Sequence, residues 1–180
     1  MRRVTLLVTA IGVAMLLASG VALAATFDGT PGPDTFVGTD GPDDIRGRGG
    51  NDNLSGAGGI DRVRGDGGND TLSGGPGGTL DRREEVRGDT GNDTASGDGG
   101  ADEVRGGLGD DRMFGDGGAD FIRADDDGID TVSAGAGDDV IEAHDDVGQD
   151  TIDCGEGIDT VDFDARVDVV AENCENQDPH

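Results

Sequence analysis

The sequence contains no lysine, tryptophan or tyrosine, and only five phenylalanines and two cysteines in 180 residues. So few large side chains exclude an ordinary globular core. Positive charge is scarce too: 13 arginines face 40 acids, and the net charge is −27. A polyanion would be repelled, so no nucleic-acid partner is expected. His144 and His180 stand apart in the sequence, whereas zinc requires Cys or His at close spacing, so no zinc site is expected. Neither a His-Glu-x-x-His motif nor a Gly-x-Ser-x-Gly elbow is present. The many carboxylates could imitate a glycosidase pair, but their spacing is too regular, and no enzyme is expected. What is abundant is glycine, at 36 residues. Composition alone describes an acidic, disordered chain.

Residues 1–24 differ from the rest. Arg2 and Arg3 precede an apolar run from Val4 to Leu17, and Ala22-Leu23-Ala24 is a small-x-small site. This is the pattern of a secretory signal peptide cleaved after Ala24. Cleavage would remove two arginines and no acid, taking the net charge from −27 to −29. No later apolar run is long enough to span a membrane, so the mature chain is expected to carry no membrane span and to be secreted or held at the cell surface.

From Gly29 the chain divides into 14 blocks, most of nine residues. The sixth position carries Asp34, Asp43, Asp52, Asp61, Asp70, Asp93, Asp102, Asp111, Asp120, Asp130, Asp139, Asp150 and Asp159, with Glu84 as the one exception. A glycine precedes each of these aspartates by two residues. The eighth position is always apolar, from Phe36, Ile45 and Leu54 to Ile141, Ile152 and Val161. Block six, Gly74 to Arg87, holds five extra residues, and the period loosens after Arg123. Glycines permit tight turns and close approach of carbonyl oxygens. The last three positions read polar–apolar–polar, a minimal strand with one inward side chain. One inward residue per strand suits a solenoid, which needs few hydrophobic residues.

These blocks resemble the Gly-Gly-x-Gly-x-Asp-x-apolar-x nonapeptide of the bacterial RTX family, a parallel β-roll that binds Ca²⁺. The resemblance covers Gly29 to Asp162. It implies an all-β fold, a β-solenoid with two blocks per turn and about seven turns, and Ca²⁺ between neighbouring glycine turns on one side. Residues 25–28 are then a lead-in, 29–162 the roll, and 163–180 a C-terminal cap and tail.

The ninth position tests the two-block turn without help from the family. Even blocks carry Arg46, Arg64, Arg87, Arg105 and Arg123; odd blocks carry Ser55, Ser73, Ser96, Phe114 and Ser133 after Val37. The alternation predicts an Arg column on one sheet and a Ser/Thr column on the other. It passes through block six intact, so the insertion should bulge from a turn. The arginines are expected to pair with Asp44, Glu85 and Glu103 across strands.

Calcium takes six to eight oxygen ligands in a forgiving geometry, and two stacked turns can supply carboxylates and carbonyls. Regular blocks give five firm pairs: Asp34–Asp52, Asp43–Asp61, Asp52–Asp70, Asp93–Asp111 and Asp102–Asp120. The 14 blocks allow up to twelve pairs. Distortion and weaker calcium are expected near Glu84, Asp130 and Asp150, and where the first-position glycine becomes Ala124, Ala134, Ala143 or Cys154. Without metal, stacked carboxylates repel and the small core cannot offset chain entropy, so folding should require calcium.

Cys154 and Cys174 are expected to form a disulfide in an exported chain. It would pin a cap containing Val167, Val169 and Val170 over the open end of the roll. Two roles follow from the sequence. One is a stand-alone secreted calcium-binding protein. The other is a calcium-dependent adhesion module that grips a cell-surface glycan through the Arg or Thr/Ser column.

Overall fold

A computed structural model describes residues 24–80, 82–124, 127–144 and 148–180. The expected signal peptide, apart from Ala24, lies outside the described residues. The strands in chain order are β1 (Thr26–Asp28), β2 (Thr35–Val37), β3 (Asp44–Gly49), β4 (Asn53–Ser55), β5 (Arg62–Gly67), β6 (Thr71–Pro76), β7 (Glu84–Thr90) and β8 (Thr94–Gly99). They continue as β9 (Asp102–Leu108), β10 (Arg112–Gly117), β11 (Phe121–Arg123), β12 (Thr131–Ala136), β13 (Val140–Ala143), β14 (Thr151–Glu156), β15 (Thr160–Phe163), β16 (Val169–Val170) and β17 (Asn176–Pro179). Odd-numbered strands form one nine-stranded parallel sheet and even-numbered strands an eight-stranded one. The chain therefore winds as a β-solenoid of about eight coils. Among the described residues no helix is long and apolar enough to cross a membrane.

The eighth positions stack in register. Ile45, Val63, Val86, Val104, Ile122, Ile141 and Val161 line one sheet. Phe36, Leu54, Leu72, Ala95, Met113, Val132 and Ile152 line the other. From Ile45 onward all of them are buried. Each is one side chain thick, which is how a chain poor in hydrophobic residues closes a core.

Several strands are longer than the minimal three residues. They run through positions seven to nine and on into the first three positions of the next block, as in β3 and β5. Two residues per strand therefore face inward: the apolar eighth and the first of the next block. That first residue is usually a buried glycine. Its missing side chain leaves room for the aspartate of its own block: a methyl on Gly47 would lie 2.1 Å from Asp52 Oδ2. Late in the roll Ala124, Ala134, Ala143 and Cys154 take this place and join the apolar core.

The ladder also extends past both ends of the glycine blocks. β1 pairs with β3 and brings Phe27 over Ile45, where its ring stacks on Phe36 with centroids 4.3 Å apart. At the other end β16 and β17 add to β14 and β15 in the same parallel register. The residues after Phe163 are thus a further coil made without glycine. A disulfide joins Cys154 to Cys174 and ties this coil to the one before it.

The insertion leaves the coil as a small turn closed by reciprocal backbone bonds between Thr79 and Arg82. Leu80 at its tip is exposed.

Candidate metal centre

Twelve of the thirteen sixth-position aspartates are buried; Asp34, in the first coil, is partly so. They form two ladders along the two turn edges. On the odd edge each backbone N–H donates to Oδ1 of the aspartate one coil on: Asp34 to Asp52 (2.7 Å), Asp52 to Asp70 (2.8 Å), Asp70 to Asp93 (2.7 Å), Asp93 to Asp111 (2.7 Å), Asp111 to Asp130 (2.8 Å) and Asp130 to Asp150 (2.8 Å). The even edge repeats this from Asp43 to Asp61 (2.7 Å), and then from Asp102 to Asp120 and from Asp120 to Asp139 (both 2.8 Å) and Asp139 to Asp159 (2.9 Å). All five firm pairs are brought together.

The distortion expected at Asp130 and Asp150 is not found in this ladder, because the extra residues of those blocks precede the Gly-x-Asp step. It is found at Glu84. The Asp61 N–H approaches Glu84, and the Glu84 N–H approaches Asp102, near enough to favour the charged forms. Neither contact closes a full hydrogen bond.

Each ladder step uses one carboxylate oxygen, and along most of the ladder the other is left over. Oδ2 of Asp52, Asp61, Asp70, Asp93, Asp120, Asp139 and Asp159 is buried without a hydrogen-bond partner. Such a group is costly to bury uncompensated. Burial accordingly pushes the carboxyls up: Asp61, Asp93 and Asp139 to about 6, and Asp102 and Asp120 to about 7. Asp52, Asp70 and Asp159 are raised for the same reason. Backbone N–H donors pull several of them back, and the like charge of a neighbouring acid pushes the other way.

Carbonyl oxygens crowd the same edges. The fourth-position glycines stack so closely that a methyl on Gly118 would lie 1.4 Å from the Gly100 carbonyl oxygen, and Gly118 itself has φ +139°. A methyl on Gly47 would meet the Gly65 carbonyl at 2.8 Å as well as Asp52. Orphaned carboxylate oxygens and stacked carbonyls are hard oxygen donors, and they suit Ca²⁺. Among the described residues no three His, Cys, Asp or Glu side chains converge to hold a metal by themselves, so backbone oxygens must complete any shell.

A model of the RTX calcium-binding nonapeptide repeat matches the chain in four copies, at residues 28–63, 55–78, 87–122 and 125–161. The chain belongs to that family. No curated protein and no solved structure matches it. RTX repeats are calcium-binding structural elements, so calcium is the ion these turns are built to meet.

Further residues carry the RTX edges without having been legible in the sequence. Asp168 and Glu175 continue the two ladders into the last coil, accepting from the N–H groups of Asp150 (3.0 Å) and Asp159 (3.1 Å). Asp168 lies nine residues after Asp159, so the frame was present without its glycine. Asn51, Asn69, Asn92 and Asp110 form a second ladder beside the odd-edge aspartates, each side chain accepting from the backbone one coil on.

The Arg column stands as expected, Arg46–Arg64–Arg87–Arg105–Arg123 in register. Its partners differ in part. Arg46 pairs with Asp66 (2.5 Å) rather than Asp44. Arg87 pairs with Asp89 (2.5 Å) and more loosely with Glu85, Arg105 with Glu103, and Arg123 with Glu142 (2.9 Å). Asp66 and Asp89 occupy the second block position in a left-handed conformation, φ 70° and 78°, where the family pattern has glycine. Aspartate tolerates that conformation better than most residues, and it carries a charge to the sheet surface that glycine lacks. The two histidines are not isolated either. His144 and His180 both approach Asp162, at 3.4 and 2.8 Å.

Proposed function

We propose that the protein is a secreted calcium-binding β-roll that folds on taking up several Ca²⁺ between its stacked turns. The single observation that carries this is the column of buried carboxylate oxygens without partners. These oxygens belong to ladders in which one aspartate follows another coil by coil. Two carboxylates and the facing carbonyls of adjacent coils would hold each ion, which supplies the positive charge that the coil lacks. The thirteen aspartates from Asp34 to Asp159 are the proposed ligands; with Glu84 counted, the 14 blocks pair up to twelve times, for up to twelve ions. Twelve would bring the mature charge from −29 to about −5, removing most self-repulsion. Export is supported by the residue 1–24 pattern and by the Cys154–Cys174 bridge, which suits an oxidising compartment. The role is structural rather than catalytic.

Calorimetric titration of residues 25–180 with Ca²⁺, followed in parallel by circular dichroism, tests the reading. Uptake of several ions with a gain of β signal is expected. Full β signal in excess chelator would sink it. The glycan-binding alternative is less favoured, because four of the five column arginines are already ion-paired. Glycan-array binding that disappears when the Arg column is changed to Ser would restore it.

A further inference from the structure

Family matches stop at residue 78 and resume at 87, so block six with its insertion lies largely outside the repeat pattern. There the even-edge ladder fails. Glu84 is 0% exposed and both its carboxylate oxygens lack partners; Asp102, also 0% exposed, has the same two oxygens unsatisfied. At the other even-edge steps an aspartate oxygen accepts from the backbone N–H one coil back. Here four carboxylate oxygens are uncommitted in two neighbouring residues, which are register partners on β7 and β9.

The longer side chain offsets the displaced backbone. A methyl on Gly74 would meet Glu84 Oε2 at 2.7 Å, much as other first-position glycines meet their aspartates. The insertion also adds walls. A methyl on Gly77 would lie 1.8 Å from both Glu84 Oε1 and the Gly59 carbonyl oxygen, so these two oxygens crowd one point. One on Gly78 would lie 2.4 Å from the Ala101 carbonyl and 2.6 Å from Asp102 Oδ1. Arg83 is near enough to favour the Asp102 anion, but its guanidinium sits over the Phe121 ring, 5.7 Å from the centroid.

We propose that Glu84 and Asp102, with the Gly59 and Ala101 carbonyls, form a calcium site whose ligand set differs from that of the aspartate-pair sites, and that it is the first of all to fill. This rests on the calcium-binding reading above. Affinity for Ca²⁺ follows ligand charge and rigidity. Carboxylates not already bonded to amides bring more of their charge to the ion, and the tight glycine walls fix them. The irregular block is then the strongest calcium anchor of the roll rather than a gap in it.

Calorimetric Ca²⁺ titration of the mature chain, wild type against Glu84→Gln and Asp139→Asn, tests the proposal. The Glu84→Gln chain should lose the tightest phase, with the first equivalent weakened at least about tenfold. Asp139→Asn should keep that phase and lose a weaker one. Circular dichroism at saturating calcium checks that each variant folds. If Glu84→Gln does not fold, Glu84→Asp takes its place, and its shorter reach should still weaken the first phase. Survival of the tightest phase in the folded Glu84 variant, or identical isotherms for the two ladder variants, overturns the proposal and leaves the calcium-binding reading standing. No uptake by the wild type overturns both.

Discussion

Removing calcium at neutral pH should unfold the roll, and mild acid should restore it without metal. In the folded chain burial raises Asp61, Asp93 and Asp139 to about 6, Asp102 and Asp120 to about 7, and Glu84 to about 8, against ordinary values of 3.8 and 4.5. The folded state therefore holds protons that the unfolded state has lost. Stability from these groups is fully present below the unfolded values, near 4, and is lost as pH rises through the folded values, about 6 to 8. Burial holding Asp102 at about 7 instead of 3.8 corresponds to a loss on the order of 4 kcal/mol once it ionises. Neighbouring acids titrate as a coupled set, so such losses do not simply add. Even one loss of that order is a large share of the stability of an ordinary domain, ~5–15 kcal/mol. Asp28 runs the other way: hydrogen bonding to Arg48 lowers it, so the scan should stop near pH 4.5 before such surface pairs are lost. Circular dichroism of metal-stripped protein from about pH 8 downward would show β signal growing as pH falls. Calcium added at about pH 8 should give the same spectrum. A metal-free chain with full β signal at pH 8, or one that loses it on acidification to about pH 5, would refute the reasoning.

Gly118→Ala should cost about 3 kcal/mol or more in calcium-saturated thermal melts, because the new methyl strikes the Gly100 carbonyl at a left-handed residue. Gly99→Ala, with nothing within 4 Å of the added carbon, should change the same melts by no more than about 0.5 kcal/mol. Reducing Cys154–Cys174, which closes a separation of 20 residues, should cost about 3 kcal/mol, and hydrogen exchange should place the loss in the last coils. Ile122→Ala removes a fully buried side chain from a one-residue-thick column and should cost about 2–5 kcal/mol in denaturant titration.

Much of this architecture is legible in the sequence because a solenoid repeats its chemistry. The apolar eighth position, the Arg and Ser columns and the insertion as a surface turn all follow from phase. The second inward column is not legible where glycine fills it, because glycine has no side chain to register burial; there the fit of Asp52 against Gly47 reveals it, and Ala124, Ala134, Ala143 and Cys154 mark it late in the roll. β1 and the last coil escaped because Phe27 and Asp168 keep the spacing without the glycines that make it visible, and because Glu175, 16 residues after Asp159, breaks it. The Arg46–Asp66 pair depends on a left-handed backbone at a position that reads as ordinary acid. The meeting of His144 and His180 at Asp162 joins residues separated by two coils of winding, a distance that spacing along the chain cannot express.

Small domains usually suffer from their size, since the fraction of surface buried falls as a chain shortens. A stack of coils, each joined by its strands only to the coils before and after, escapes that rule in its middle. An interior coil such as the one holding Val104 and Met113 buries the same side chains whatever the number of coils beyond its neighbours. The molecule therefore has a length rather than a size. Only its two ends are penalised: one is covered by the Phe27–Phe36 stack and the other by a coil bound through a disulfide.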